Sequence, residues 1–276
     1  MAICGLRVRH AYAELPAPMR SRGDVGYTEF FHTGSERQRI AGVEIRTSSG
    51  HAGVTLLSGA PETVDAFLEA VAWPVLCGEV PWRIRHLREQ LLARPYGPGE
   101  RFSRAARGLV NRLEFGLWDL AAQEAGLPLY RLLGGGPERR AAVYAGGGSL
   151  CWNPLPLLVK ETEMLRERGF RALKIKIGRG PEEDAQVCRR LRGVAGPDIR
   201  MMVDANRAYD LPGALRLLPV LEDLDFSWFE EPLAYDRPEE WRQLRAASRV
   251  KIAGGEGCGR IQPVADAARE EMLDIY

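Results

Sequence analysis

Apolar and polar positions alternate along VRHAYAEL near the start of the chain, and again in AGVEIRTSSG and HAGVTLLSG. This period of two predicts short strands, with a hairpin turn at Ser49-Gly50 between the second and third. A Gly- and Arg-containing stretch at 19–34 separates the first two. The period then lengthens. Val64, Phe67, Leu68, Val71 and Val75 predict a helix over 61–75, and a second is expected over 81–92 with Pro81 in its first turn. A third, over 103–125, carries a broad apolar face from Leu109, Val110, Leu113, Phe115, Leu117, Trp118 and Leu120. Gly126 and Pro128 stop it. Strands followed by helices predict an α+β domain over 1–135, with the boundary in the Gly-rich stretch 132–136.

After residue 136 the pattern changes to regular alternation. Strand-like AAVYAG (141–146) precedes a helix over 154–168. RALKIKI (171–177), IRMMVDA (199–205), FSWFEE (226–231) and VKIAGGE (250–256) follow, each trailed by a helical stretch at 181–193, 210–223, 236–247 and 261–271. Asp210 and Asp236 stand where helix caps are expected, and MLDIY reads as the start of another strand. Such alternation is the signature of a parallel sheet with helical crossovers. The ionisable residues at the strand ends keep time with it, because Lys176, Asp204, Glu230 and Glu256 are separated by 28, 26 and 26 residues. One unit after another therefore delivers a charged group to the C-terminal edge of the sheet, where α/β folds assemble their sites. Groups from four consecutive strands fit a barrel better than a doubly wound sheet, which gathers its site at one switch point. The expected fold is α/β, an N-terminal α+β domain followed over 136–276 by an incomplete (β/α)8 barrel of TIM type with about five and a half units.

Composition narrows the partners. Among 276 residues, 38 Lys+Arg balance 37 Asp+Glu for a net charge of +1. That balance favours neither nucleic acid nor an anionic membrane surface. No run of about 18 apolar residues occurs and no signal-peptide core precedes the first strand. Five scattered cysteines without a Cys-x-x-Cys pair are expected to be reduced, buried small hydrophobes in a cytoplasmic protein.

The chemistry lies in the rim. Taken singly, Asp204, Glu230 or Glu256 would read as a helix cap or a solvated loop end. Three in register repel one another unless a cation compensates them. An all-oxygen set with room for water and substrate selects a hard cation, Mg²⁺ ahead of Ca²⁺. Lys174 and Lys176 share one strand face, opposite the apolar Ile175 and Ile177, so the lysines are expected to point inward to this site. At about 7 Å apart they would repel by about 2.4 kcal/mol at an effective dielectric of about 20. That brings a lysine from about 10.4 toward the 7–8 range useful to a general base. Asn206 would share the face of Asp204 and either bond a ligand or form a turn. Glu231 should point away from Glu230. The glycine runs 134–137 and 145–149 lack the spacing of a phosphate loop. His10, His32, His51 and His86 show no metal spacing and no evident acidic partner.

The ordered set Lys-x-Lys, Asp-x-Asn, Glu-Glu-Pro and Gly-Gly-Glu resembles the enolase superfamily, most nearly its mandelate racemase-like group, which includes acid-sugar dehydratases. FGLWDLAAQEAGLPLYRLLGG (115–135) is similar to the family's linking helix, which makes 1–135 a capping domain. The resemblance implies that Asp204, Glu230 and Glu256 bind Mg²⁺, that Lys176 is the base and Lys174 its enolate-stabilising neighbour, and that Asn206 lies near the bound carboxylate. It further implies Mg²⁺-dependent removal of the α-proton of a small carboxylate, an acid sugar or 2-hydroxy acid. Dehydration or racemisation would follow, in a full-length chain that is a homo-oligomer. The loops at 19–34 and 50–60 would cover the site and set substrate choice.

Two features pull against a simple reading. A third ligand set in AGGEG, instead of an Asp-Glu pair, tilts away from the cycloisomerase and dipeptide-epimerase branch, which stays as the alternative. Eight strands would also require on the order of 80 residues beyond Tyr276. In the family, those strands supply a His–Asp pair and a further acid. A truncated product, a fragment or a chain completed by partners is expected, inactive or poorly active alone.

Overall fold

The computed structural model describes residues 2–14, 37–94, 100–136, 140–146, 153–256 and 261–276. They fall into two compact units, divided after Arg140.

The first unit holds a three-stranded antiparallel sheet in the order β1 (Ile3–Glu14), β2 (Arg37–Thr47) and β3 (Ala52–Ser58). Residues 52–58 thus form a strand within the expected 50–60 loop, and 19–34 lies outside the described residues. Ala41, Val43, Ile45 and Leu57 are buried on one face, while Val54 and Leu56 are exposed on the other, as a period of two requires. Helix α1 (Pro61–Phe67) continues through a π-helical turn (Leu68–Ala72) into α2 (Trp73–Leu76). Pro74 explains the widened turn, since it brings no N–H and its ring would strike the carbonyl four residues back. Helix α3 spans Ile84–Ala93, so Pro81 precedes it instead of entering its first turn.

The long α4 (Glu100–Glu124) packs Leu113, Leu117 and Leu120 on the sheet. It comes so close that a Cβ on Gly53 would lie 2.0 Å from the Gly116 carbonyl oxygen. At its end the Glu124 carboxylate accepts the Thr47 hydroxyl at 2.7 Å and the Ser49 hydroxyl, with His51 Nδ1 at 3.1 Å. His10 Nε2 stands 2.7 Å from Asp65. Two histidines therefore face carboxylates that sequence spacing did not reveal. A short α5 (Leu129–Leu132) ends the unit.

The second unit is a parallel sheet in the order β4 (Ala172–Lys176), β5 (Arg200–Asp204), β6 (Phe226–Glu230) and β7 (Lys251–Ala253). Residues 141–146 do not form a strand. Only Ala145 pairs, in a parallel bridge to Leu173, and Ile275 makes the equivalent bridge to Ala253 at the other edge. Helices α6 (Leu155–Glu167), α7 (Pro181–Ala195), α8 (Leu211–Asp223), α9 (Pro238–Ala247) and α10 (Ile261–Arg269) alternate with the strands. Leu173, Ile175, Ile177, Met201, Val203 and Phe229 join the helix-packed core. Asp210 caps α8 by accepting the Gly213 N–H at 2.8 Å, whereas Asp236 does not cap α9, whose N-cap residue is Arg237.

On α7, buried Asp184 accepts the Gly178 and Arg179 N–H groups at 2.8 and 2.9 Å and also the Tyr209 hydroxyl. One carboxylate so ties the turn after β4 to the turn after β5. Cys188 is buried, but Cys4 and Cys77 are exposed, against the expectation for them, and Cys151 and Cys258 lie outside the described residues. Among the described residues no helix is long and apolar enough to cross a membrane.

Candidate active site

Register builds the site. Lys176 pairs with Asp204, and Asp204 with Glu230, in neighbouring parallel strands. The second pairing depends on an irregularity in β6. Met201 faces Phe226, yet Val203 faces Phe229, so one extra residue is taken up between them. Without it Phe229 would stand opposite Asp204. With it, Phe229 turns to the helical core and Glu230 to the face that carries Lys174, Lys176 and Asp204.

The lysines point to this face, as the alternation predicts. Lys174 Nζ donates to Asp204 Oδ2 at 3.0 Å and to Glu230 Oε1 at 2.7 Å. Lys176 Nζ donates to the same Asp204 oxygen at 2.6 Å and to Asn206 Oδ1 at 2.6 Å. Asp204 is completely buried, and its other oxygen accepts the Asn206 N–H at 3.0 Å. Asn206 Nδ2 then lies 3.4 Å from both Glu231 Oε2 and Glu256 Oε1.

Lysine repulsion does not dominate here. Burial alone would pull the Lys174 ammonium down, but Asp204 and Glu230 outweigh it and hold the group well above its ordinary range. The expected approach to 7–8 fails for Lys174 because its carboxylate partners are closer than the other ammonium. Glu256 moves the other way from a paired acid. Desolvation and the negative charges of Glu231 and Asp204 push its carboxyl above the usual range, and Lys176 opposes them only in part.

Three site residues escaped the sequence reading. Trp228 Nε1 donates to Glu230 Oε2 at 3.1 Å; its place two residues before Glu230, on the same strand face, was a usable signal. Tyr144 stacks its edge on Trp228 with centroids 5.6 Å apart, and its ring lies 5.7 Å from Lys174 Nζ. Glu231 does not point away from the site. Its φ of 41° takes it out of the strand, and its fully buried carboxylate accepts the Tyr235 hydroxyl at 2.6 Å. Asn206 and Arg207 also have positive φ, 45° and 65°. Three of the five described non-glycine residues with positive φ thus gather at two adjacent strand ends, the kind of clustering common at functional sites.

The donor chemistry suits a hard divalent cation. Every acid present offers oxygen, an ammonium already bridges Asp204 and Glu230, and the four carboxylates share two ammonium groups and the Arg207 guanidinium, 3.8 Å from Glu231. As the side chains stand, no three His, Cys, Asp or Glu among the described residues converge on one point. Glu256, beyond the end of β7, meets Asn206 rather than Asp204. A cation shared by the three acids calls for side-chain rotation from these positions.

Comparison with known proteins bears on the family. Residues 28–134 match the model of the mandelate racemase / muconate lactonizing enzyme N-terminal domain, and 157–276 that of the enolase C-terminal domain-like family. The chain is 30% identical over 241 residues to arabinonate dehydratase of Saccharolobus solfataricus, covering 86% of this chain and 64% of that protein. It is 35% identical over 149 residues to D-galactarolactone cycloisomerase of Agrobacterium fabrum, covering 53% and 39%. The chain thus spans less than two thirds of the length of either relative. Among solved structures, L-talarate dehydratase from Polaromonas sp. JS666, complexed with Mg and L-glucarate, superposes with a TM-score of 0.80 at 26% identity, covering 99% of this chain and 73% of that one. The fold is accordingly an N-terminal antiparallel-sheet domain followed by part of a (β/α)8 barrel, and the chain belongs to the mandelate racemase/muconate lactonizing enzyme family of the enolase superfamily.

Proposed function

We propose that this chain carries the metal- and base-bearing part of a site that removes the α-proton of a carboxylate substrate with Mg²⁺, and that the reaction is dehydration of an acid sugar. The observation that carries the proposal is the single Asp204 oxygen held by both lysines, with Glu230 beside it at the same strand level. Asp204, Glu230 and Glu256 would hold the ion. When bound, Mg²⁺ supplies Lewis-acid stabilisation of the charge that builds on the substrate carboxylate as the proton leaves.

Lys176, in its neutral form, receives the α-proton at Nζ. Asp204 and Asn206 orient that nitrogen from two sides. Lys174, held by Asp204 and Glu230 as a cation, adds positive charge beside the developing enediolate. Asn206 is placed to donate its amide to a bound carboxylate. In a dehydration the β-hydroxyl leaves as water with the proton that Lys176 has taken up, whereas in a racemisation a proton from solvent adds to the opposite face. The cycloisomerase reading retains support from the 35% identity to D-galactarolactone cycloisomerase. The two differ in whether the product has lost one water.

Calorimetric Mg²⁺ titration and ¹H NMR of an acid-sugar panel in D₂O test the proposal. One saturable Mg²⁺ site, lost in Glu230→Gln, and α-proton exchange lost in Lys176→Met are expected. Absence of a saturable site, or exchange indifferent to Lys176→Met, would refute it.

A further inference from the structure

Glu256 stands three residues beyond Ala253, the end of β7, and reaches its place across Gly254 and Gly255, the latter at φ 115°. Two glycines impose little direction of their own, so something else must fix where the carboxylate stands. We infer that Tyr235 and Glu231 are positioning residues that lock the Gly254–Gly255 step and thereby set the Glu256 carboxylate. The importance of Glu256 itself rests on the function proposed above.

The Tyr235 hydroxyl accepts the Gly255 N–H and donates to Glu231 Oε1 at 2.6 Å. Its ring lies flat on Trp241, with centroids 5.4 Å apart and planes 7° from parallel. Trp241 is fully buried and donates from Nε1 to the Ala234 carbonyl at 2.8 Å. The hydroxyl is therefore delivered by a rigid base. Gly254 is pressed against the same pair, because a Cβ there would lie 3.1 Å from the Tyr235 oxygen and 3.3 Å from the Trp241 ring.

Glu231 closes the arrangement from the other side. Its N–H donates to the Ala253 carbonyl at 2.9 Å, the last residue of β7, and its second oxygen faces Asn206 Nδ2, which also faces Glu256. Two routes thus run from Glu231 to Glu256, one through Tyr235 and the Gly255 amide, the other through Asn206. Burying a carboxylate here is costly without such partners. Groups that orient metal ligands in this way govern affinity as well as geometry.

The test is Tyr235→Phe in the full chain, read by hydrogen exchange at the Gly255 amide and by Mg²⁺ titration, with Ile199→Val as a core-destabilising control. We expect Gly255 exchange to accelerate at least about tenfold and Mg²⁺ affinity to fall by about 10–100-fold in Tyr235→Phe. Ile199→Val should lower Tm and leave both unchanged. Unaltered Gly255 exchange in Tyr235→Phe overturns the positioning role. Faster exchange with wild-type Mg²⁺ affinity overturns its link to Glu256. A wild-type chain that takes up no Mg²⁺ while Tyr235→Phe still frees the Gly255 amide removes the proposed function and leaves the lock standing.

Discussion

Replacing Asp204 by Asn should destabilise the second unit strongly in the absence of any divalent ion, and removing one lysine should partly restore it. Both ammonium groups bond the same Asp204 oxygen, at 3.0 and 2.6 Å, so their nitrogens are at most about 5.6 Å apart. At an effective dielectric of about 20 their repulsion is about 3 kcal/mol. Asp204 neutralises it from a fully buried position, between lysine side chains only 9% and 13% exposed. A neutral amide at this position would take the Asp204 charge from both lysines, leaving Lys174 against Glu230 at 2.7 Å and removing the carboxylate 2.6 Å from Lys176. Breaking a buried pair from one side costs about 3–5 kcal/mol. In EDTA, Asp204→Asn should therefore lower the Tm of this unit by on the order of 10 °C. Adding Lys174→Met removes one of the two repelling charges, so the double variant should be more stable than Asp204→Asn alone. A coupling energy of at least about 2 kcal/mol is expected from the cycle measured by urea denaturation. A single variant within about 1 kcal/mol of wild type, or a double variant less stable than the single one, would show that Asp204 does not neutralise the lysines.

Two further outcomes concern the scaffold. Desolvation pushes the Glu124 carboxyl up, but the Ser49 and Thr47 hydroxyls and His51 outweigh it and hold it below its ordinary value. A depressed folded value stabilises above the unfolded pKa of about 4.3 and loses that stabilisation as pH falls through the folded one. Urea midpoints of the first unit should drop more steeply below about pH 4.5 for wild type than for Glu124→Gln, and equal slopes would discount the carboxylate. Asp184→Ala strands the Gly178 and Arg179 N–H groups and the Tyr209 hydroxyl. It should cost at least about 3 kcal/mol by chemical denaturation, and a loss below about 1 kcal/mol would contradict the tie between the two turns.

The strand ends were legible because a parallel sheet repeats one edge. The 28- and 26-residue intervals placed Lys176, Asp204 and Glu230 side by side, and apolar Ile175 and Ile177 fixed which way the lysines face. What escaped was whatever breaks the period. Glu231 was assigned to the wrong side because alternation was carried one residue past the point where its φ turns positive. The irregularity in β6 has no composition signal, and only the pairing shows that it brings Glu230 level with Asp204. Glu256 read as a strand end, although β7 stops at Ala253. Residues 141–146 alternate like a strand but contribute a single bridge at Ala145. His10 meets Asp65 through the tertiary fold, and spacing along a chain carries no trace of that.

Gly53 and Gly116 meet where strand β3 crosses helix α4, and an added Cβ on either would press into the opposing surface: 2.0 Å from the Gly116 oxygen for the first, 3.1 Å from Ile45 Cδ1 of β2 and 3.3 Å from Thr55 Cγ2 of β3 for the second. With no side chain between them, backbone rests on backbone. The helix can neither roll about its axis nor slide along the sheet without driving Leu120 or Thr55 into that gap. The azimuth of the 25-residue helix is consequently set, at this crossing, by an absence of atoms.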